Sequence, residues 1–538
     1  MVSQKKQNMR EVCMGRIKSL RIEGFKKFSE LVAPDFDRHM NIFVGENEAG
    51  KSTILEAIKI VLNQQYKTAD KAALIDLFNL ELVTQFKNAP SIDTLPFICI
   101  ELCFDLDDKA KDSEYFYGER NKRNEPAFGI SFECRFNREL GNELAKDIAD
   151  GKIPYEYYSL SWTTFAGHQY YLIKRPFNFL VINPTSNDTN SSFNYFNRSL
   201  FATRYDESTR LNVKHKFREG LATAFADAEL EDIDANRRFG ISDKKILLES
   251  IISVYEDLIP LENKGSGMES LIKTQIALDK PKSKIDVILM KEPENHLSHQ
   301  TMNKMLHEIS KTQSESQIII TTHSNLIASR LNLKFVKWIT NNAVISLKGV
   351  NDPVADFFVK ADNNNFLQLL LSQKVILVEG ASEALLLPKI YSIVTKRTLE
   401  EDGVSIISCG GITYKNYLDI AVGNDKRIAV ITDNDKNQER IDDAAELNKS
   451  SACHKVFIPT SVDDWTWEVC LYKLNTDLLN KTISVKENRK YLYNGTDYGQ
   501  VLGKMLNNKV EVAYDLARID DDFEVPQYVK DAIGWLNE

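Results

Sequence analysis

The chain has 538 residues, too many for one hydrophobic core, so two to four domains are expected. Hydrophobic residues make up 43% and charged residues 27%, which excludes a fibrous or wholly disordered chain. A net charge of −9 argues against tight non-specific nucleic-acid binding by the whole surface, and the polar start and the lack of a long apolar run point to a cytoplasmic protein without a membrane span.

Seven scattered cysteines with no Cys-x-x-Cys pair fit reduced thiols rather than a structural zinc site. Residues 1–13 are expected to be a disordered tail. Ile17 to Phe28 alternates apolar and polar residues in its first half and predicts a strand. Asn41 to Val44 predicts another, running into Gly45-Glu46-Asn47-Glu48-Ala49-Gly50-Lys51-Ser52-Thr53. A helical pattern with Ile54, Leu55, Ile58, Val61 and Leu62 on one face follows. Strand, loop and helix in this order identify a phosphate-binding loop. Gly45 and Gly50 let backbone N–H groups turn toward phosphate at a helix N-terminus. Lys51 is placed to neutralise the β- and γ-phosphates and Ser52 to hold Mg²⁺. Asn47 and Thr53 belong to the same candidate ATP site.

Further strands are predicted at Pro96–Leu106, Phe128–Phe136, Tyr155–Trp162 and Tyr170–Ile173, and a loop at Asn183–Asn194. Residues 205–262 turn helical, with Leu211, Phe217, Leu221 and Phe225 in step, and predict an inserted arm suited to self-association. Gly265-Ser266-Gly267 then opens a helix through Leu271, Ile276 and Leu278. Ile285 to Met290 predicts a buried strand, followed by Glu292-Pro293-Glu294-Asn295-His296-Leu297. Glu292, just past that strand, suits a base that orients water. Ser316 to Thr322 predicts one more strand, ending at His323. Three basic groups, Arg120 with Lys122 and Arg123, Arg237 with Arg238, Lys244 and Lys245, and Lys280 with Lys282 and Lys284, are more often solvated faces than phosphate tracks.

These parts, over about residues 14–350, resemble the ABC-type ATPase heads of the SMC, RecF and OLD (overcoming lysogenisation defect) group, and the Glu-Pro-Glu-x-His-Leu string is especially similar to OLD proteins. The resemblance implies ATP held between one subunit's phosphate loop and the Ser266-Gly267 signature of another, with His323 as a switch residue. A homodimer or higher homo-oligomer follows from it. One position departs from the pattern: Lys291 stands where the group has an acid that helps hold Mg²⁺, and a cation there repels the metal. Asp286 lies five positions earlier, about 16 Å away along an extended strand, and cannot replace it. ATP hydrolysis is therefore expected to be slow.

Residues 351–372 are expected as a linker with a short helix, and a fresh α/β pattern begins at 373. The strand Lys374–Val378 ends at Glu379-Gly380, with Glu383 one turn into the next helix. Val404–Ser408 ends at Cys409-Gly410-Gly411, and Ile428–Ile431 runs through Thr432 to Asp433-Asn434-Asp435. Ligands of parallel sheets bind beyond the carboxyl ends of strands. Glu379, Glu383, Asp433 and Asp435 all fall there, and such a crowd of acids calls for a hard cation, Mg²⁺ or Mn²⁺. This arrangement resembles the Toprim domain of topoisomerases, primases and OLD nucleases. In OLD proteins the resemblance further implies that Thr466 and Glu468 complete a second metal site and that Lys509 supports cleavage. A Toprim nuclease domain over 373–515 and a helical tail over 516–538 complete the expected plan.

The expected fold class is α/β: an ABC-type ATPase head with a mixed sheet and helical arm, then a Rossmann-like parallel-sheet Toprim domain. The expected function, by resemblance to OLD-family nucleases, is an ATP-binding, divalent-metal-dependent DNA endonuclease. That family includes antiphage effectors, among them Gabija nucleases and nucleases paired with retron reverse transcriptases, which makes a reverse transcriptase–nucleic acid complex a candidate partner. The rival reading is a repair-type ATPase clamp whose Toprim domain binds nucleic acid without cutting.

Overall fold

The computed structural model describes residues 15–64, 71–107, 112–183, 191–227, 237, 248–278, 285–311, 316–340, 343–360, 365–410, 413–421, 426–486, 489–519 and 522–538. The expected tail at 1–13 and the cations Arg238, Lys244, Lys245, Lys280, Lys282 and Lys284 lie outside these residues. The chain divides into two compact units, Met1–Lys348 and Gly349–Glu538.

The first unit carries β1 (Arg16–Phe25), β2 (Phe28–Ala33), β3 (Met40–Val44), β4 (Ile98–Asp105), β5 (Tyr117–Gly118), β6 (Ala127–Phe136) and β7 (Tyr158–Thr164). It continues with β8 (Phe179–Ile182), β9 (Tyr255–Glu256), β10 (Ile259–Pro260), β11 (Val287–Lys291), β12 (Gln317–Thr321), β13 (Val336–Thr340) and β14 (Ala343–Ser346). One sheet runs β2-β1-β4-β6-β5 with β7 also on β6, all antiparallel. A bulge between Ile17 and Ser19 resets the alternation of β1, so Ile17, Leu20 and Ile22 are all buried. The second sheet runs β14-β13-β3-β12-β11-β8 and is parallel except at the β14 edge. β3 lies inside it with all five residues buried, as a strand covered on both faces requires.

The helix Lys51–Asn63 joins the two sheets. Its predicted apolar face, Ile54, Leu55, Ile58, Val61 and Leu62, is buried in the main core. A helix leaves its last carbonyls without intrahelical donors, and the antiparallel layer supplies two. The Trp162 indole donates to Ile60 O at 3.0 Å and the Tyr170 hydroxyl to Leu62 O at 3.2 Å. This explains a departure from the sequence reading. Tyr170–Ile173 is not a strand but a 3₁₀ turn over Tyr170–Leu172, which buries Tyr170 where its hydroxyl reaches the helix end. Likewise Tyr155–Tyr157 forms a 3₁₀ turn and its strand begins at Tyr158. Of the expected loop at 183–194, residues 184–190 lie outside the described residues, and its end from Ser191 instead begins a helix that runs to Arg204. Within the arm, a helix spans Glu207–Ala226, capped by Asp206 accepting from the Thr209 N–H at 2.7 Å. Leu211 on it stays exposed.

The second unit carries β15 (Lys374–Val378), β16 (Val404–Ser408), β17 (Arg427–Ile431), β18 (His454–Phe457), β19 (Leu492–Tyr493) and β20 (Thr496–Asp497). The first four make a parallel sheet in the order β16-β15-β17-β18, and the last two a short hairpin. The helix Gln527–Asn537 packs on β17 and β18 with Val529, Ile533 and Leu536 fully buried, so it belongs to the core of this unit. Both units are α/β.

Candidate nucleotide and Toprim sites

In the first unit, the loop after β3 is folded around Lys51. Its buried ammonium donates to Gly45 O and Glu46 O, both at 2.7 Å. Burial lowers the Lys51 pKa, against the pull of Glu292, Glu294 and Glu46. Gly50 takes φ +99°, and a Cβ there would meet the Phe28 ring at 2.3 Å, so glycine is required on both counts. Ser52 is half-buried and Thr53 buried at the start of the helix, while Asn47 is exposed on the loop.

Glu292 follows β11 in the left-handed region, φ 42°. Its carboxylate contacts His323 Nε2 at 3.2 Å and accepts from the Asn295 amide at 3.0 Å. Glu292 and His323, which the sequence reading pairs as candidate base and switch residue, therefore touch each other directly. Glu294 is a residue that the sequence reading passed over. Its Oε1 accepts from the Thr322 hydroxyl at 2.7 Å and the His323 N–H at 2.8 Å, tying the ends of β11 and β12 together. Its Oε2 is buried and without a partner among the described residues. The signal was present in the Glu-Pro-Glu repeat, which puts two acids on one turn. Lys291 closes β11, half-buried. Asp286 sits at the opposite end of the strand, where it accepts from the Asn178 N–H at 2.7 Å. Burial raises its pKa to about 6, Asn178 and Arg16 opposing. Ser266 begins the helix Ser266–Leu278, and Gly267 lies against the turn after Glu292: a Cβ on it would come within 2.7 Å of His296 O.

In the second unit, β15 and β17 deliver acids to one end of the sheet. Glu379 Oε1 accepts from the Thr432 hydroxyl and from the Asp433 N–H, the latter at 3.2 Å. Asp433 is 5% exposed and accepts from the Trp467 N–H at 2.8 Å, at the start of the helix Trp467–Leu474. Glu383 is buried in the helix Ala381–Thr395 and accepts from the Ser382 hydroxyl at 2.9 Å. Thr466 caps the Trp467 helix. Glu468, 3% exposed, pairs with Lys509 at 2.8 Å through Oε2, and its Oε1 has no hydrogen-bond partner among the described residues. Asp435 turns outward to Arg440, whose guanidinium also donates to Asp433 O at 3.0 Å.

The electrostatics follow from the crowding. Burial, then Glu468, Glu379 and Glu383, push Asp433 well above the usual carboxylate range, with Lys509 opposing. Burial likewise raises Glu468 despite Lys509. Burial works against charge on Lys509, but Glu468, Asp433 and Glu383 outweigh it and raise its pKa. Tyr528 was not singled out from the sequence. Its hydroxyl is buried without a hydrogen-bond partner among the described residues and raised by burial and then by Asp433, Cys470, Glu383 and Glu468. Arg440 also went unmarked, because an arginine one turn past an Asp-x-Asp looks like any helix-surface cation.

An all-oxygen donor set with an unpartnered buried carboxylate oxygen fits a hard divalent cation. Each acid is parked on a local donor, and among the described residues no three already converge tightly enough to hold an ion. Like charges repel, so an ion could be held here only after side-chain rotation brought the acids together.

Residues 19–319 match the AAA domain family, and residues 370–435 match the overcoming lysogenization defect protein-like TOPRIM domain. The chain is 23% identical over 503 residues to Endonuclease GajA of Bacillus cereus (strain VD045), covering 84% of this chain and 81% of that protein. A stretch of 50 residues is 48% identical to the chromosome partition protein Smc of Lactiplantibacillus plantarum, 9% of this chain and 4% of that one. Among solved structures, the Smc head domain with an extended coiled coil bound to the C-terminal domain of ScpA, from Pyrococcus furiosus, covers 64% of this chain and 100% of its own at 14% identity and TM-score 0.34. The SMC head domain from Thermotoga maritima covers 62% and 99% at 14% identity and TM-score 0.30. No helix among the described residues is long and apolar enough to cross a membrane. With a match over more than half its length, the chain belongs to the AAA domain family, and behind that match it carries a segment similar to the OLD-like TOPRIM domain.

Proposed function

We propose that this protein is an ATP-binding, divalent-metal-dependent DNA endonuclease that nicks or cleaves duplex DNA. The observation that carries the reading is the cluster of buried Glu383, Asp433 and Glu468 and half-buried Glu379, with Lys509, at the carboxyl end of a Toprim sheet. The similarity to an endonuclease over most of both chains supports it. Glu379, Glu383, Asp433, Asp435, Thr466 and Glu468 would hold Mg²⁺ or Mn²⁺. Such an ion, when bound, supplies a Lewis acid for water and phosphate. The Trp467 N–H fixes Asp433, Lys509 offsets the charge of Glu468 beside the scissile phosphate, and Arg440 braces the Asp433 turn.

In the first unit, Gly45, Asn47, Gly50, Lys51, Ser52 and Thr53 would cradle the ATP phosphates, with Glu292 orienting water and His323 restraining it. Ser266 and Gly267 of a second copy would close the site, so the working form is a homodimer or a higher homo-oligomer. Lys291 keeps hydrolysis slow, and ATP acts mainly as a conformational ligand. The biology proposed is antiphage defence in the cytoplasm, with a reverse transcriptase–nucleic acid complex as a candidate partner.

Supercoiled plasmid with Mg²⁺ or Mn²⁺ tests the reading. The wild type should nick it, and Asp433→Ala and Glu379→Ala should not. No cutting by the wild type under any condition, with nucleotide and phage lysate included, rejects the nuclease in favour of the clamp.

A further inference from the structure

The turn after β17 carries a feature that the acids do not use. Asp435 and Lys436 both sit in the left-handed region, at φ 50° and 64°, a strained state that persists only where the surroundings fix it. Here they do. Buried Asn434 donates to Pro459 O at 3.0 Å and Ser461 O at 2.8 Å, and accepts from the Lys436 N–H at 2.9 Å. The Asp435 N–H donates to Trp465 O at 3.0 Å.

Lys436 is thereby held against aromatic rings. Its ammonium lies 4.5 Å from the centre of the Trp465 ring and 5.4 Å from that of Tyr498, and donates to the Tyr498 hydroxyl at 2.9 Å. Behind it, Trp465 stacks on Tyr493 at 5.8 Å and 28° and tilts against Tyr498. Tyr493 and Tyr498, on and beside the β19–β20 hairpin, keep part of their surface in solvent. Arg489 and Lys490, just before the hairpin, are exposed. Among the described residues neither they nor Lys436 makes an ion pair, in a chain of net charge −9.

We propose that this platform takes an unpaired nucleobase of the DNA strand entering the Toprim acids. The base stacks on the open sides of Tyr493 and Tyr498, and the flanking phosphates meet Lys436, Arg489 and Lys490. Rings interleaved with cations match the alternation of flat bases and phosphates in a single strand. A paired base offers no free face, because its neighbours in the duplex cover it, so the platform selects a base that is unpaired or turned out of the stack. A local cationic rim also provides what an acidic protein otherwise lacks for holding DNA beside its own carboxylates. The proposal deepens the nuclease reading and rests on it: the substrate is DNA with a locally unpaired base next to the cut.

The test uses the full chain in an Asp433→Ala background. The probes are two labelled duplexes, one fully paired and one with a single unpaired 2-aminopurine. Tighter binding of the second, with quenching of the 2-aminopurine, is expected. Tyr493→Leu and Lys436→Gln should each weaken that binding about tenfold or more while thermal melting stays put. Equal affinity for the two duplexes, or no effect of either substitution, overturns the proposal. If Tyr493→Leu lowers the melting temperature, the exposed Lys436→Gln decides alone. Nicking by the wild type without preference for unpaired sites removes the platform and leaves the nuclease. Selective binding with no nicking by any preparation leaves the platform and removes the nuclease.

Discussion

In the first unit one cation, Lys51, rests on two backbone carbonyls, and the nearest acids are bound to neighbours: Glu292 to His323 and Asn295, Glu294 to Thr322 and the His323 N–H. In the second unit the buried acids Glu383, Asp433 and Glu468 crowd around Lys509, and each unit leaves a buried carboxylate oxygen without a hydrogen-bond partner among the described residues, Glu294 Oε2 in the first and Glu468 Oε1 in the second. On the proposed reading the first site, whose Lys51 is satisfied by two carbonyls, is the better balanced at rest and would exchange those partners for phosphate. The second, whose crowded acids push Asp433 well above the usual carboxylate range, would gain most from added positive charge. Sites of the first kind should tolerate being empty; sites of the second kind should gain stability from the ion they bind.

The contrast breaks most sharply in the Toprim unit. Glu468→Gln is expected to reduce metal-dependent nicking by at least about 100-fold, since even residues that only orient metal ligands cost about 10- to 100-fold. ATP binding, measured by titration calorimetry, should not change. Next comes Lys51→Met. Losing a charge-assisted contact to phosphate should weaken ATP binding about 10- to 100-fold. Its buried ammonium is held below the usual lysine range, so the ATP-free protein should melt no lower than the wild type. A clear fall in melting temperature would mean that the first site is not balanced after all.

A pH experiment sharpens the comparison with a group outside both sites. Asp286 has its folded-state pKa raised to about 6 from 3.8. A carboxyl raised in this way favours the fold most when protonated in both states, below about pH 4. That contribution is lost as pH rises through 6. The shift corresponds to at most about 3 kcal/mol. Asp286→Asn should therefore raise the melting temperature at pH 8, with the gap closing by pH 4; an equal gap at both ends would show that charge is not the cause. The smallest effect is expected at Thr322→Val, which removes two hydrogen bonds, the one donated to Glu294 and the one accepted from the Ser324 N–H, and should cost about 2 kcal/mol in urea unfolding.

Much of this was legible in the sequence because it is local. The phosphate loop needs its glycines within a few residues of Lys51, and the helix face Ile54 to Leu62 has a period that a window can see. The ends of β15 and β17 marked Glu379 and Asp433 for the same reason. What stayed hidden depends on distant partners. Tyr170 reads as a strand residue until a helix end, whose Leu62 O lacks an intrahelical donor, comes to meet it. Glu294 gains its meaning from Thr322 and His323, Tyr528 from acids contributed by three helices and loops, and the outward turn of Asp435 from Arg440. No window around those residues contains the other half of the contact.

The position of β3 bears on how the chain acquires its shape. Met40 pairs with Ile318 and Ile42 with Val336, so the strand that presents the nucleotide loop finds neither neighbour until late in synthesis. The antiparallel sheet, whose members all lie before residue 165, can assemble long before. Contacts of such long range are slow to form. On the ribosome, β3 would wait beside a finished layer with both hydrogen-bonding edges bare, and a holding chaperone would be most needed in that interval.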